Sequence, residues 1–140
     1  MYIYTTKIKL HETDAAGLLF FSHQFEIIHD AYESLLEKIG YGFATLIREK
    51  KYFLPIVHAE SDYKLPLFVV DVIKVHVRVS EVGTSSFSFS YQLFNRKKQL
   101  VGTGKTVHVT IDKKRHQAIP IPKQMKDRIV KLYRKDAKKT

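Results

Sequence analysis

Residues 11–25, with the sequence HETDAAGLLFFSHQF, contain the transition from a loop to the first helical pattern of the chain. The segment up to Gly17 is polar or small, which is typical of a loop. Ser22 then occupies an N-cap position, and Gly40 occupies a helix C′ position. Between them, apolar residues recur at helical spacing, namely Phe25, Ile28, Tyr32, Leu35, Leu36 and Ile39. We therefore predict a helix of roughly 17 residues, the only long one before the C-terminal region.

The segments on either side of this helix alternate between apolar and polar residues, which is the period of a β-strand. One such segment spans residues 2–10, with Ile8 and Leu10 on its buried side. A short helical turn is predicted within residues 43–50. Four further alternating segments follow, with short turns between the later ones, at residues 57–63, 74–80, 87–93 and 101–111. Short turns favour antiparallel neighbours.

The order of these elements predicts the fold class. After Pro120 and Pro122, apolar residues at helical spacing (Met125, Ile129, Leu132 and Tyr133) indicate a short C-terminal helix. One strand, one long helix, four consecutive strands and a short helix predict an α+β protein, in which a five-stranded antiparallel sheet packs one long helix on its face. No repeat or linker interrupts the 140 residues, so we expect one domain, 1–140, with a basic C-terminal helix and tail at 123–140.

Composition and charge exclude several classes of protein. The absence of cysteine excludes disulfides, thiolate metal sites and cysteine nucleophiles. No apolar run is long enough to cross a membrane and no signal-peptide pattern is present, so we expect a cytoplasmic protein. The net charge is +10, and residues 123–140 carry eight Lys/Arg against two Asp, a net +6. Such a tail can attract nucleic acid, anionic lipid or a phosphorylated ligand, or it can be a solvated helix face.

Asp14 is the best candidate for a catalytic group. Gly17 and two alanines remove side-chain bulk around it, so that a ligand can approach the backbone closely. We expect free N–H groups at the start of the helix, around Phe20 to His23, to stabilise charge on a carbonyl oxygen under attack. A carboxylate beside such donors can support a hydrolase, by attacking or by activating water. The alternative is that Asp14 only caps a turn.

Other reactive side chains lack a comparable pattern. Histidines 11, 76, 108 and 116 show no metal-ligand spacing, so we expect no metal site. The serines lack a G-x-S-x-G elbow. Alternating Phe87, Phe89 and Tyr91 have no Lys or Arg interleaved with them, which favours core packing over base stacking.

The loop and helix resemble a known family. The run TDAAGLLFF, with HDAYE at 29–33, resembles the hot-dog-fold acyl-CoA thioesterases of the 4-hydroxybenzoyl-CoA thioesterase family. The combination of TDAAG, FF and H-x-A-Y-E is similar, more narrowly, to the 1,4-dihydroxy-2-naphthoyl-CoA thioesterases of phylloquinone and menaquinone biosynthesis. A weaker match, PIVHAESDYKLPL at 55–67, resembles the second strand of the family.

The resemblance implies roles for individual residues. Asp14 matches the catalytic carboxylate, which either attacks the thioester carbonyl to form a mixed anhydride or acts as base for a water. The backbone N–H of Phe21 matches the group that binds the thioester oxygen. Gly17 matches the residue that lets the substrate come close to the backbone. His23 stands where the family usually has Asn, so a side-chain role there is open. Histidines 29 and 58 lie in matched segments, and each either lines the acyl pocket or is structural.

The resemblance also implies a fold, a function and partners. It implies the hot-dog fold, with the sheet wrapped around the long helix, and hydrolysis of an aromatic acyl-CoA without a cofactor or metal. The expected substrate is 1,4-dihydroxy-2-naphthoyl-CoA; alternatives are 4-hydroxybenzoyl-CoA and short or medium aliphatic acyl-CoA. Candidates for contacts with the coenzyme A phosphates are Lys64, Arg96, Lys97 and Lys98.

The resemblance further implies a homo-oligomer, a dimer with joined sheets or a homotetramer. Its active sites are expected at the subunit boundary, where residues 58–66 of the second subunit complete each site. A different class, a non-enzymatic basic module binding nucleic acid or an acidic partner, is the competing hypothesis, although the reactive loop is not basic. A hot-dog dehydratase using His29 and Asp30 ranks last.

Overall fold

The predicted sheet and helices are present in the computed structural model, which describes residues 1–138. Positions 139 and 140 of the expected basic tail lie outside the described residues. In chain order the elements are β1 (Tyr2–Lys7), α1 (His23–Lys38), α2 (Phe43–Arg48), β2 (Tyr52–Phe53), β3 (Ile56–Tyr63), β4 (Val72–Val82), β5 (Ser86–Phe94), β6 (Leu100–Val109), β7 (Ile111–Asp112) and α3 (Lys123–Ala137).

The main sheet has five antiparallel strands in the order β1-β4-β5-β6-β3. Strands β4, β5 and β6 follow one another through short turns, whereas β3 lies outside β6 and β1 lies outside β4. The alternating segment predicted at 101–111 is divided at Thr110, and its end forms β7, which pairs with β2 in a separate two-stranded sheet. This division depends on a partner strand of only two residues, too short to show a period.

Helix α1 lies on the inner face of the main sheet and forms the core with it. Ile28, Ala31, Tyr32 and Leu36 of α1 are at most 1% exposed. They face the inward side chains of the central strands, which include Val75, Val77, Phe87, Phe89, Tyr91 and Leu93. Gly104 of β6 permits a close approach, because a Cβ there would lie 2.5 Å from Ile28 Cδ1. The predicted α+β arrangement is therefore confirmed.

The two ends of α1 differ in how well the sequence predicts them. Gly40 has φ +90°, and the N–H groups of Gly40 and Tyr41 donate to Glu37 O and Leu36 O, the pattern of a Schellman motif. Ser22 occupies the N-cap position as predicted, but it has helical angles and its side chain makes no capping hydrogen bond. The first turn is closed instead by the carbonyl groups of the residues before it.

The first strand is shorter than predicted. It ends at Lys7, and Leu10, expected on the buried side, begins a 3-10 turn and is 75% exposed. The cause is Glu12, whose largely buried carboxylate accepts the N–H of Lys9 at 2.8 Å and so bends the chain. A side-chain acceptor that competes with the strand ladder is not visible in an alternation pattern.

Helix α3 covers part of β4 that β1 leaves unpaired. Strand β1 pairs with β4 only as far as Val77. Beyond that point Asp136 Oδ2 of α3 accepts the N–H of Val79 at 3.1 Å, while Met125 and Ile129 are fully buried.

Among residues 1–138, no helix has the length and apolar character needed to cross a membrane.

Candidate functional site

The loop that carries Asp14 is held together by that residue. Its Oδ1 accepts the N–H groups of Ala16 at 2.8 Å and Leu18 at 3.2 Å, an Asx-type turn. Gly17 has φ +77°, a conformation that favours glycine, and nothing lies within 4 Å of where its Cβ would be. The turn-capping role is thus real, but it occupies one carboxylate oxygen. Oδ2 has no partner in residues 1–138, so it is available to a ligand.

Two backbone donors remain free where α1 begins. The N–H of Phe20 donates to Glu12 O and that of His23 to Phe20 O, both at 2.9 Å. The expectation of free donors throughout Phe20 to His23 is therefore too broad. Within the described chain, only Phe21 and Ser22 of this stretch keep an N–H without an acceptor. These two groups point a partial positive charge at whatever occupies the helix start.

The first turn of α1 is attached to strand β3 by two side chains that the sequence analysis did not identify. The hydroxyl of Tyr63 donates to the carbonyl oxygen of Phe21 at 2.7 Å. Gln24 Nε2 donates to Ser61 Oγ at 2.7 Å and to Asp62 O at 3.1 Å. Gln24 offered one signal, because it is a polar residue on the helical stripe that otherwise contains Ile27, Ile28 and Ala31. Tyr63 offered none, since its partner lies 42 residues away.

A depression of about 260 Å³ lies against this turn. Its apolar walls come from Leu18 and Leu19 of the loop and from Leu65 and Leu67 after β3. Phe21, Gln24, Tyr63 and Lys64 also line it. Pockets that hold small molecules typically combine an apolar lining with a few polar groups in this way.

The three candidate histidines are not brought together. His23 lies at the start of α1, where its Nδ1 is 2.9 Å from Glu26 Oε2. His29 is six residues further along α1, about 9 Å by helical rise, and pairs with Glu33 at 3.5 Å. His58 lies on β3, 57% exposed in its side chain and 3.1 Å from Glu60. Of these three histidines, only His23 lies next to the loop of Asp14.

Of the candidate phosphate contacts, Lys64 lines the 260 Å³ depression itself. Arg96 and Lys97, in the turn between β5 and β6, line a neighbouring depression of about 580 Å³. The two depressions share Leu65 and Pro66 and are therefore next to each other. Lys98 lines a third depression, together with His76 and Phe94. The pKa of His76 is lowered, first by burial and then by the positive charges of Arg78 and Lys74.

Comparisons with known proteins agree on one group. The family model described as thioesterase-like superfamily matches residues 8–129. The 1,4-dihydroxy-2-naphthoyl-CoA hydrolase of Rippkaea orientalis is 34% identical over 124 residues, 87% of this chain and 90% of the relative. That of Synechococcus elongatus is 30% identical over 127 residues, 90% of this chain and 93% of the relative.

Solved structures give the same result. A 1,4-dihydroxy-2-naphthoyl-CoA thioesterase from Synechocystis superposes with a TM-score of 0.88 at 26% identity, covering 94% of this chain and 96% of the other. A gentisyl-coenzyme A thioesterase superposes with a TM-score of 0.80 at 25% identity, covering 89% of this chain and 98% of the other.

Proposed function

This chain belongs to the thioesterase-like superfamily, and we propose that it hydrolyses an aromatic acyl-CoA, specifically 1,4-dihydroxy-2-naphthoyl-CoA. The sheet packed around α1 is the hot-dog fold of that group, and the curated relatives are named as thioester hydrolases. The observation that carries the proposal is the free Oδ2 of Asp14 in the loop that leads to the free N–H of Phe21. The bridge between Thr13 and Leu19 holds the two sides of that loop together.

The proposed mechanism assigns each group one task. Asp14 either attacks the thioester carbonyl carbon, giving a mixed anhydride and the thiolate of coenzyme A, or takes a proton from a water that attacks. In the first route water then hydrolyses the anhydride, so that both routes give the carboxylic acid and coenzyme A. The N–H of Phe21 donates to the carbonyl oxygen as it gains charge, and the start of α1 supports the same charge.

The proposed acyl group is supported by the size and lining of the depression. At about 260 Å³ the depression is at or below the lower end of the range for ligand pockets, roughly 300–1,000 Å³. Its leucine walls suit a compact ring better than a long flexible chain. The names of the relatives favour the dihydroxynaphthoyl group over 4-hydroxybenzoyl and over short or medium aliphatic groups.

The phosphate groups of coenzyme A are assigned to the basic side chains near this site. Lys64 lines the proposed acyl depression, and Arg96 and Lys97 line the depression next to it. Arg and Lys donors form charge-assisted hydrogen bonds with phosphate. The positive charge close to the site thus has a small-molecule role, and nucleic acid is not needed to explain it.

A homo-oligomer with sites at the subunit boundary is also part of the proposal. Among residues 1–138, strand β3 pairs only with β6, so its other edge is open. Ile56, Val57 and Tyr63 on this strand are 41%, 59% and 49% exposed. An open, partly apolar edge is a site where a second copy can add its own strand. His58 would then lie at the subunit boundary. That it lines the acyl pocket of the neighbouring subunit remains a prediction.

The test of the catalytic proposal is Asp14→Asn. Asn retains an oxygen that accepts the N–H of Ala16, so the loop is expected to keep its turn while losing the charged oxygen. We expect hydrolysis of 1,4-dihydroxy-2-naphthoyl-CoA to fall roughly 10²- to 10⁴-fold, with an unchanged circular dichroism spectrum. Asp127→Asn, an exposed carboxylate on α3, is the matched control and should keep full activity.

An Asp14→Asn variant that hydrolyses at the wild-type rate would show the mechanism to be wrong. The same pair of variants separates the enzyme from a basic binding module, because a module would bind polyanions equally well with either residue. A panel of aromatic, short aliphatic and long aliphatic acyl-CoA esters then decides the acyl group. A clear aliphatic preference would overturn the dihydroxynaphthoyl assignment and leave the thioesterase assignment in place.

A further inference from the structure

Gln24 is an almost fully buried polar side chain that the mechanism above does not use. It is 2% exposed, yet it lines the 260 Å³ depression proposed for the acyl group. It lies in the first turn of α1, three residues after Phe21, whose N–H is free. A buried amide is costly unless both its donor and its acceptor are paired, so each end of this side chain needs a partner.

The hydrogen bonds of Gln24 determine which way its amide points. The carbonyl of Asp62 can only accept, so the group 3.1 Å from it is the nitrogen of Gln24. The hydroxyl of Ser61 donates to Thr103 O at 2.8 Å and is therefore the acceptor of the second N–H of Gln24. The nitrogen end of the amide is thus fully occupied by β3.

The oxygen end of the same amide has no partner. Within residues 1–138 nothing donates a hydrogen bond to Gln24 Oε1. The amide is also confined, because a Cβ on Gly102 would lie 2.8 Å from its Nε2 and 3.1 Å from its Oε1. Gln24 therefore holds a fixed, unpaired acceptor beside a depression that is otherwise lined mainly by apolar groups.

We propose that Gln24 Oε1 accepts a hydrogen bond from a phenolic hydroxyl of the acyl group, and that Gln24 thereby selects hydroxylated aromatic acyl-CoA substrates. This inference rests on the proposed thioesterase function and assigns a specificity-determining residue to it. An acyl ring with a hydroxyl satisfies the acceptor when the ring occupies the depression. A ring without one leaves the oxygen buried and unpaired, which disfavours its transition state.

Two other tasks for Gln24 make different predictions. If Gln24 only attaches α1 to β3, its loss displaces the N–H of Phe21 and slows all substrates alike. If Oε1 instead accepts an amide N–H of the pantetheine arm, its loss also weakens all acyl-CoA esters alike. Only the recognition of a hydroxyl on the acyl ring makes the effect depend on the ring.

The experiment compares kcat/KM for benzoyl-CoA with that for 2-, 3- and 4-hydroxybenzoyl-CoA. For the wild type we expect the best hydroxylated isomer to be preferred about 3- to 10-fold beyond its intrinsic hydrolysis rate, the size of one neutral hydrogen bond. Gln24→Leu should abolish this preference, mainly by slowing the hydroxylated ester. Gln24→Met, with an unbranched side chain, should do the same and serves if the leucine variant folds poorly.

Ser61→Ala is the matched control. It removes an acceptor from the nitrogen of Gln24 and leaves Oε1 in place, so it should slow all the esters equally and keep their ratio. An unchanged ratio in Gln24→Leu and Gln24→Met, or a wild type without any preference, would overturn the inference while the thioesterase function stands. A wild type that hydrolyses no acyl-CoA would overturn the proposed function as well.

Discussion

At the scale of single residues, His108 of β6 is the most unusual group in the core. It is fully buried and stacks on Tyr32 with ring centroids 4.1 Å apart and on Phe87 at 5.4 Å. Its Nε2 lies 2.8 Å from Thr106 Oγ1, which lies 2.8 Å from the hydroxyl of Tyr91. Burial, with a smaller effect of His29, lowers the pKa of His108 to about 3. The ring is therefore neutral in the folded protein at ordinary pH.

This buried histidine predicts a loss of stability on mild acidification. Because the folded-state pKa is lower than the unfolded value near 6.5, the unfolded chain binds the extra proton as the pH falls below about 6.5. Each pH unit below that point costs about 1.4 kcal/mol of unfolding free energy, down to about pH 3. Urea unfolding at about pH 7 and about pH 5 should thus differ by about 2 kcal/mol from this group alone.

The control for this prediction is His108→Phe. Phenylalanine keeps an aromatic ring between Tyr32 and Phe87 but has no titratable nitrogen. Its absolute stability is expected to be lower, because Thr106 loses a hydrogen-bond partner. The decrease in its unfolding free energy between about pH 7 and pH 5 should be smaller than the decrease in the wild type by about 2 kcal/mol. Equal pH dependence in the two proteins would contradict the role given to His108.

At the scale of elements, helix α3 has its basic side chains on one face and the side chains that attach it to the sheet on another. Met125 and Ile129 are fully buried, while Lys131 and Arg134 are exposed. The buried face and Asp136 keep the helix over the part of β4 that β1 does not pair. Residues 123–137, which form α3, contain six Lys/Arg against two Asp, so this basic helix is attached through its buried apolar side chains together with Asp136.

We accordingly predict that Ile129→Ala destabilises the protein and Lys131→Ala does not. Truncating a fully buried isoleucine removes apolar contacts and leaves a cavity, which typically costs about 2–5 kcal/mol. The exposed lysine should change the unfolding free energy by less than about 0.5 kcal/mol. Chemical denaturation at neutral pH measures both. Similar effects of the two substitutions would mean that α3 is not packed as described.

The elements that the sequence predicts well are those whose pattern is local. The stripe of α1 and the alternation of Phe87, Phe89 and Tyr91 report burial against a neighbouring layer, and Gly40 reports the left-handed end of α1; the structure confirms all three. The early end of β1 and the start of α1 depend on Glu12 and on carbonyl groups that no periodicity contains.

The candidate site also contains parts that the sequence predicts and parts that it does not. Asp14, Gly17 and the N–H of Phe21 are close in sequence, so their shared loop could be predicted. The contacts of Gln24 and Tyr63 with their partners span 37 to 42 residues and follow only from the pairing of β3 with β6. Single-sequence patterns report which face of an element is buried and do not report which distant side chain meets it.

At the scale of the whole molecule, one strand, β3, both contacts the start of α1 and forms an open edge of the sheet. Tyr63 and Ser61 of β3 hold the first turn of α1, where the N–H of Phe21 is free. No strand in the described part of the chain pairs with the outer edge of β3. A second copy bound at that edge would restrain β3 and, through it, the position of the donor. Assembly and hydrolysis are thus expected to depend on each other.

Val57→Lys tests this link, because Val57 is 59% exposed on β3 and a charged side chain opposes edge-to-edge pairing. We expect the wild type to be a dimer or tetramer by light scattering and the variant to be a monomer. Hydrolysis should then fall roughly 100-fold, the scale of a small displacement of a catalytic group. Ile47→Lys, which places the same charge on α2 at a side chain 70% exposed, should change neither property. A Val57→Lys monomer with full activity would separate assembly from catalysis, and a variant that remains oligomeric would place the subunit contact away from β3.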